Sequence, residues 1–191
     1  MAHAPSRGLA RLTLTLTGSA ARHPHAPLIL TAALDRQAFA FFDAQRRRYF
    51  PPERNQLAAH LTLFHALPPS QHADIAARCK LLTRGEPPIA AEATGLINLG
   101  KGVAYRIHAP ALVTLRAALA DAWLPLLSAQ DRGGFAAHIT IQNKAEPAAA
   151  KALLTALQAT FTPIRFTLPG LDLWHYLGGP WEGAGSFRLR G

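Results

Sequence analysis

The sequence has very little cysteine, few acidic residues and no long apolar run. Its 191 residues include a single cysteine, Cys79, which excludes an intramolecular disulfide and any multi-cysteine cage for zinc or an iron–sulfur cluster. No apolar stretch reaches the ~18 residues that a membrane-spanning helix needs. We therefore expect no membrane association, and the lack of a disulfide framework favours the cytoplasm.

Acidic residues are scarce relative to basic ones. The chain has 11 Asp and Glu against 20 Lys and Arg, which gives a net charge of +9 at pH 7. Sixteen of the basic residues are arginine, whose guanidinium group binds phosphate through parallel hydrogen bonds. Because a field of this sign attracts polyanions, RNA or a nucleotide is the expected partner, and nothing indicates an obligate protein partner.

The first 27 residues differ from the rest of the chain. They contain three arginines but no carboxylate, since the first acidic residue is Asp35. The segment ends in the turn-forming sequence His23–Pro27. It predicts a flexible basic tail over residues 1–27, followed by a single catalytic domain over residues 28–191 with enough apolar residues for a packed core.

Beyond the tail, strand patterns alternate with helix patterns. Strands are predicted at Leu28–Leu34, Leu57–Phe64, Pro87–Leu99, Val103–His108, Phe135–Gln142, Ile164–Leu177 with a break at Pro169-Gly170, and Ser186–Leu189, with turns at Gly100–Gly102 and Gly178–Gly185. Helices are predicted after an Asp35 N-cap, from a Ser70 N-cap to about Arg84, from Pro110 through Trp123 and from Pro147 to about Ala159. Arg46–Arg48 end the first helix and are expected to be solvated. Short helices among strands and hairpins indicate the α+β class.

One tetrapeptide pattern occurs twice. His60-Leu61-Thr62-Leu63 and His138-Ile139-Thr140-Ile141 each lie in a predicted strand. Side chains alternate between the two faces of a strand, so in each copy His and Thr share one face while the branched apolar residues take the other. One copy would carry little information, but two copies in matched strand contexts predict two strands that line a common site.

These residue types indicate phosphodiester chemistry. An imidazole titrates near pH ~6.5, so one histidine can accept a proton from water while the other, protonated, donates one to a leaving alkoxide. Threonine hydroxyls can donate hydrogen bonds to non-bridging phosphate oxygens. A general acid, a general base and phosphate donors, without a carboxylate or thiolate cage, predict a reaction that uses no metal and no cofactor.

With these motifs the sequence resembles the 2H phosphoesterase superfamily, and within it the 2′-5′ RNA ligase and RNA 2′,3′-cyclic phosphodiesterase family. The resemblance runs from about Leu28 to Leu189 and includes Pro51–Asn55, Gly95–Arg106 and Phe135. It implies two pseudo-symmetric lobes of antiparallel sheet with flanking helices around a central cleft. The residues that it implies as the catalytic tetrad are His60, Thr62, His138 and Thr140.

The same resemblance implies an activity. Members of the family open 2′,3′-cyclic phosphates to 2′-phosphates, and some join 2′-5′ linkages reversibly. We therefore expect a phosphodiesterase that acts on RNA ends or nucleotides by two-histidine acid–base catalysis. Gln142–Lys144, after the second motif, depart from the family pattern, so the substrate subgroup stays open, as does the occurrence of ligation. The two motifs are equivalent by pseudo-symmetry, so the sequence does not assign the roles of acid and base to the histidines.

Four further residues are predicted to contact the substrate. Lys144 follows the second motif at the end of its strand, where a cation can bind phosphate. Phe64 falls by alternation on the face of the first motif and can stack on a base. Tyr105 and Arg106 are neighbours in one strand, so only one of them can face the cleft.

Three more residues are assigned a supporting or structural role. Asp131 and Glu53 are candidates to orient a catalytic histidine, although no spacing connects them to either motif. His65 lies five residues after His60, on the opposite face of a regular strand, so we interpret it as structural.

Two other functions fit the same sequence. The net charge and the basic tail suit a module that binds RNA ends without turnover, whose affinity would fall steeply with salt. The two motifs also suit an esterase for small cyclic nucleotides or ADP-ribose cyclic phosphates, which substrates with and without flanking nucleotides would distinguish from an RNA enzyme.

Overall fold

The computed structural model describes residues 23–191, and in this part of the chain eight strands and five α-helices form an α+β fold. The strands are β1 Leu28–Ala33, β2 Leu61–Leu67, β3 Ile89–Asn98, β4 Val103–His108, β5 His138–Gln142, β6 Ile164–Leu168, β7 Gly170–Tyr176 and β8 Trp181–Arg188. The helices are α1 Arg36–Tyr49, α2 His72–Gly85, α3 Pro110–Ala122, α4 Ala129–Arg132 and α5 Pro147–Gln158. Single 3₁₀ turns occur at Pro52–Arg54, Pro69–Gln71 and Leu124–Leu126.

The strands form two antiparallel sheets that each place a motif strand at an edge. The first sheet has the order β2-β1-β7-β8, and the second has the order β5-β4-β3-β6. In each sheet the motif strand pairs with the strand that precedes it in the chain. Because β2 and β5 also contact one another, the two motifs lie where the sheets meet. The predicted fold class and its two sheets are confirmed.

The first helix connects the two sheets. Its predicted N-cap is confirmed: an Asp35 carboxylate oxygen accepts from the Ala38 N–H at 2.8 Å, and the other accepts from the Thr167 N–H of β6 at 2.7 Å. Although α1 follows a strand of the first sheet, it packs on β5 and β6 of the second. Phe42 anchors it there, fully buried against Tyr105 and Phe166 with ring centroids 5.1 and 5.5 Å apart.

Three predicted boundaries are wrong for identifiable reasons. β2 begins at Leu61 and not at Leu57, because the preceding backbone is bound by side chains of α1. Ser70 lies inside a 3₁₀ turn, and α2 begins after it without a side-chain cap. The predicted turn Gly178–Gly185 belongs largely to β8, whose Gly183 and Gly185 pair with β7.

The segment before β1 belongs partly to the packed structure. Residues 1–22 of the predicted tail lie outside the described residues. Residues 23–27, however, pack against the first sheet: the His23 Nε2 lies 3.0 Å from a Glu182 carboxylate oxygen, and the Tyr176 N–H donates to the Pro27 carbonyl at 2.9 Å. Within the described part of the chain, no helix has both the length and the apolar character required to cross a bilayer.

Candidate active site

The two His-x-Thr motifs lie on the facing edges of the two sheets. His60 immediately precedes β2 and Thr62 lies within it, while His138 and Thr140 lie in β5. All four side chains are partly exposed, whereas the apolar residues that alternate with them are buried. The alternation predicted from the sequence is therefore present in both motifs.

Both histidines are held in the same orientation and tautomer. The Nδ1 of His60 lies 2.8 Å from the Ala58 carbonyl oxygen, and the Nδ1 of His138 lies 2.8 Å from the Ala136 carbonyl oxygen. A carbonyl only accepts hydrogen bonds, so each Nδ1 carries the proton and donates it. In the neutral ring, Nε2 then has a free lone pair. Each histidine thus has one nitrogen for orientation and one for proton transfer.

The surroundings of His60 favour its neutral form. Burial lowers its pKa to about 4, and the positive charge of Arg46 and the imidazoles of His138 and His65 act in the same direction. The bond to the Ala58 carbonyl opposes these effects without cancelling them. The influence of His138 on His60 also shows that the two motif histidines lie within electrostatic reach of each other.

A buried arginine of α1 supports the site through hydrogen bonds to both motif segments. The Arg46 Nε donates to the Asn55 Oδ1 and to the Leu57 carbonyl, each at 2.8 Å, and its Nη1 donates to the Thr140 carbonyl at 3.0 Å. One side chain therefore connects the approach to the first motif with the second motif strand. This role is not visible in the sequence, which predicts a solvated Arg46, whereas the residue is 4% exposed.

A second residue of α1 fixes the backbone next to His60. The buried Asp43 carboxylate accepts from the Ala59 N–H at 3.0 Å and forms an ion pair with Arg47 one turn later. Asp43 and Arg46 lie three positions apart and so on the same side of the helix. This pairing of helix and loop explains why the chain before His60 is irregular and not a strand.

A cavity of about 360 Å³ opens beside the motifs. His60 and Thr140 both line it, as do the three cations Arg46, Arg54 and Lys144, and no carboxylate does. Lys144 adopts a left-handed backbone conformation with φ of 59°, which turns the chain sharply at the end of β5. The predicted proximity of Lys144 to the motifs is thus present, in a cavity whose charge suits an anion.

Aromatic residues of β7 and β8 form another side of the site. The Trp181 ring lies against His60 with centroids 4.6 Å apart, and Trp174 lies 6.1 Å further on. The exposed Tyr176 lines the cavity together with the turn at Gly178 and Gly179. None of these aromatics belongs to a motif, so the sequence did not point to them: Trp181 lies in the segment predicted as a turn, while Trp174 and Tyr176 lie in a predicted strand.

Phe64 is not a substrate contact. Its side chain is fully buried and packs on Trp123, with ring centroids 5.3 Å apart. The pairing of β1 with β2 shifts between Thr62 and Phe64, so Leu63 is an extra residue that forms a β-bulge. A bulge interrupts the alternation of faces, and this is why Phe64 leaves the face of Thr62.

Tyr105 faces away from the cleft and Arg106 faces the same side as His138. In the β4–β5 pairing Arg106 is opposite His138, and opposite residues share a face. Tyr105 is 4% exposed, among aromatic residues of α1, and burial followed by the effect of Tyr49 raises the pKa of its hydroxyl to about 12. Tyr105 is therefore a core residue. Arg106 is exposed, in a different cavity from that of His60.

Asp131 orients a histidine, but not a motif histidine. It accepts from the His65 Nδ1 at 3.0 Å and from the backbone N–H groups of His65 and Ala66. Burial alone would raise its pKa, but these hydrogen bonds outweigh burial and the pKa lies below its usual value. The motif histidines are oriented by backbone carbonyls, which sequence patterns do not reveal.

Burial raises the pKa of Cys79 to about 12, which keeps it a thiol.

The site defines a class of protein: two sheets, each contributing one His-x-Thr strand to a shared cationic cleft. The family model of the 2′-5′ RNA ligase superfamily matches residues 34–180, and the chain belongs to this family. No group of three or more His, Cys, Asp or Glu side chains within residues 23–191 is arranged to hold a metal ion.

Solved structures share the fold at low sequence identity. TT0787 of Thermus thermophilus is 21% identical with a TM-score of 0.61, over 86% of this chain and 98% of its own. E. coli LigT in its apo form is 16% identical with a TM-score of 0.57, over 87% and 98%. A structure described as a phosphoesterase is 18% identical with a TM-score of 0.57, over 87% and 99%. No curated protein sequence matches the chain.

Proposed function

We propose that this protein is a metal-independent phosphodiesterase that opens 2′,3′-cyclic phosphates at RNA ends or on nucleotides and leaves a 2′-phosphate. The observation that carries the proposal is the matched pair His60 and His138. Each is fixed through Nδ1 to the carbonyl two residues earlier, and each keeps Nε2 for proton transfer. Membership of the 2′-5′ RNA ligase superfamily supports phosphoester chemistry in general.

In the proposed reaction His60 is the base and His138 is the acid. The lowered pKa keeps the His60 Nε2 unprotonated and able to accept a proton from water. The water oxygen forms a bond to phosphorus while the bond from phosphorus to O3′ breaks. Protonated His138 donates its Nε2 proton to that O3′, which gives a free 3′-hydroxyl and a 2′-phosphomonoester. The Thr62 and Thr140 hydroxyls donate to non-bridging oxygens.

The cationic cavity beside His60 supports a phosphate substrate. Arg46, Arg54 and Lys144 line it without a carboxylate, so an anion entering it is attracted and meets no like charge. E. coli LigT has been solved with phosphate, NADP+ and ATP, all of which carry phosphate groups. If a 5′-hydroxyl replaces water in the same step, the product is a 2′-5′ phosphodiester, so the arrangement also supports ligation.

The test is phosphorus NMR of an oligonucleotide 2′,3′-cyclic phosphate incubated with the protein and EDTA. We expect a 2′-phosphomonoester signal, and His60→Gln and His138→Gln should each slow its appearance about 10²–10⁴-fold. His108→Gln, at an exposed position on β4, is the matched control and should react at the parent rate. Unchanged turnover in either motif variant would overturn the mechanism.

The same experiment separates the alternatives. An unchanged cyclic signal together with salt-sensitive binding of the oligonucleotide would favour a non-catalytic RNA-end-binding module. Opening of cyclic mononucleotides or an ADP-ribose cyclic phosphate, with the oligonucleotide untouched, would identify a small-molecule esterase with the same chemistry.

A further inference from the structure

A second cationic cavity lies at the far edge of the first sheet from His60. It has a volume of about 190 Å³, between α2 and β8. Four of its lining residues are basic, and we call them the basic cluster: Lys80, Arg84, Arg188 and Arg190. The catalytic reaction uses none of them.

The backbone holds the basic cluster in place. Lys80 and Arg84 are four positions apart on α2 and so lie on one side of the helix. Arg188 and Arg190 alternate with the buried Phe187 and Leu189, so both arginines point outwards.

The end of the chain is tied to α2. The Arg190 N–H donates to the Thr83 carbonyl at 3.2 Å, and the Gly191 N–H donates to the Glu86 carbonyl at 2.9 Å. These bonds keep the two arginines beside the helix and prevent them from separating from Lys80 and Arg84.

The four charges are not balanced by the described part of the protein. No carboxylate lines the cavity, and none of the four residues forms an ion pair within residues 23–191. Like charges gathered around one cavity repel each other, and a bound anion removes that repulsion. By contrast, two other exposed arginines have a carboxylate partner: Arg47 pairs with Asp43, and Arg165 pairs with Glu92.

The distance between the catalytic cleft and the basic cluster follows from the number of strands between them. Thr62, Thr31, Asp172 and Ser186 form one row across β2, β1, β7 and β8, and Ser186 lines the basic cavity. Three strand spacings correspond to about 14 Å between the Thr62 and Ser186 backbones. An oligonucleotide bound at Thr62 is long enough to span this distance and to contact the basic cluster as well.

We propose that the basic cluster binds the phosphodiester backbone of the RNA strand whose cyclic-phosphate end occupies the catalytic cleft. The placement of the cyclic-phosphate end in the cleft rests on the proposed function, whereas the binding of RNA by the basic cluster does not. Together they make an oligonucleotide a better substrate than a mononucleotide. Repeated phosphates on one flexible strand match several cations around a small cavity better than a single anion does.

Binding is tested with a ten-nucleotide RNA that ends in a 3′-hydroxyl, so that no turnover is involved. Fluorescence anisotropy is measured over a series of salt concentrations. Two double variants each remove half of the basic cluster: Lys80→Gln/Arg84→Gln and Arg188→Gln/Arg190→Gln. Each should weaken binding about tenfold. Each should also reduce the slope of log affinity against log salt by about 1.4, or about 0.7 per lost phosphate contact. The control, Arg36→Gln/Lys151→Gln, removes the same charge from exposed positions on α1 and α5.

Catalysis provides the second measurement. For an oligonucleotide cyclic phosphate, KM should rise about tenfold in both cluster variants, while kcat/KM for a cyclic mononucleotide should equal that of the parent. Unaltered mononucleotide turnover also shows that the variants are folded. If the cluster variants bind RNA as the control does, or lose affinity only for anionic lipid vesicles or an acidic peptide, the proposal is overturned. If the parent opens neither substrate, the proposed function fails, and the salt series still decides whether the basic cluster binds RNA.

Discussion

Each motif histidine depends on a neighbour only two residues away for its tautomer. The carbonyls of Ala58 and Ala136 accept from the Nδ1 atoms of His60 and His138, so backbone conformation and not a second side chain fixes the rings. A buried carboxylate partner would raise the pKa of an imidazole. With a carbonyl in that position, burial and Arg46 can hold the pKa of His60 at about 4.

Arg46 is predicted to act on catalysis through His60. Replacing it with methionine removes a positive charge near the imidazole, so the pKa of His60 should rise, by about 0.5–1 pH unit. Since His60 is the proposed base, kcat/KM of the parent should fall on the acid side of its pH profile at a pH of about 4, and in Arg46→Met this acid limb should lie at higher pH. The measurement is kcat/KM on a cyclic mononucleotide between pH 4 and 8.

The same variant should also lower the stability of the fold. It leaves the Leu57 and Thr140 carbonyls without their donor, which should reduce the free energy of unfolding by about 2–4 kcal/mol. Arg48→Met, at an exposed position on the same helix, is the control for both readouts. An acid limb that stays in place in Arg46→Met would show that the arginine only supports the fold.

The four motif residues could be predicted because a strand period and a repeated tetrapeptide are local properties. Arg46 could not, since its contact with Thr140 joins residues 94 positions apart. Nothing in the sequence Arg46–Arg48 distinguishes the buried arginine from its two exposed neighbours. Trp181 was missed for the same reason, because its contact with His60 joins residues 121 positions apart.

At the level of helices and strands, regular sequence patterns predicted the position of an element well, whereas local irregularities could not be predicted. The helix from Pro110 and the hairpin at Gly100–Gly102 are present where expected. The bulge at Leu63 left no mark in the sequence, and it changed the assignment of Phe64 from cleft to core. One inserted residue exchanges the two faces of a strand, so a side chain beyond a bulge cannot be placed by alternation.

The β3–β4 hairpin supports the end of the second motif strand through Gly102. A Cβ at this position would lie 1.9 Å from the Gln142 carbonyl oxygen and 2.7 Å from the Asn143 Cα, so backbone must move to admit it. We expect Gly102→Ala to lower the free energy of unfolding by about 2–3 kcal/mol. It should also raise KM, because Thr140 and Lys144 flank the displaced segment Gln142–Asn143 and line the cavity. Chemical denaturation and steady-state kinetics measure the two effects.

Gly95→Ala is the control for this hairpin. It lies in β3, its added Cβ would meet nothing within 4 Å, and its backbone needs no positive φ. This variant should unfold at the parent denaturant concentration or slightly above it, since alanine loses less backbone entropy than glycine. Equal stability of Gly102→Ala and Gly95→Ala would mean that the hairpin tip does not support β5.

For the molecule as a whole, the two sheets repeat one arrangement: an edge strand with His-x-Thr beside the strand that precedes it in the chain. The repeated motif predicted this symmetry through the family resemblance. The surroundings of the two motifs are not symmetric, however. Trp181 contacts His60, while Arg106 pairs with His138. In the proposed mechanism, such differences would make one histidine the base and the other the acid of a pseudo-symmetric site.

The stability of the whole molecule should depend on pH through a histidine cluster that takes no part in the proposed reaction. His175 is 1% exposed, and its ring stacks on His72 at 5.6 Å and lies 5.4 Å from His23. Burial, followed by His72 and His23, lowers its pKa below the ordinary histidine value of 6.5. Below pH 6.5 the unfolded chain binds a proton at this position that the folded chain does not, so acid favours unfolding, whereas above 6.5 both states are neutral.

We therefore expect the free energy of unfolding to fall as the pH drops below 6.5, with a contribution of up to about 1.4 kcal/mol per pH unit from His175. His175→Phe keeps an aromatic ring in the core and removes the titrating group, so its stability should fall less steeply over the same range. Urea denaturation at pH 5, 6, 7 and 8 measures the slopes, with His25→Gln, at an exposed position, as the control. Parallel slopes for His175→Phe and the parent would place the acid sensitivity elsewhere, and His60, whose pKa is lowered by the same physical cause, would be the next residue to vary.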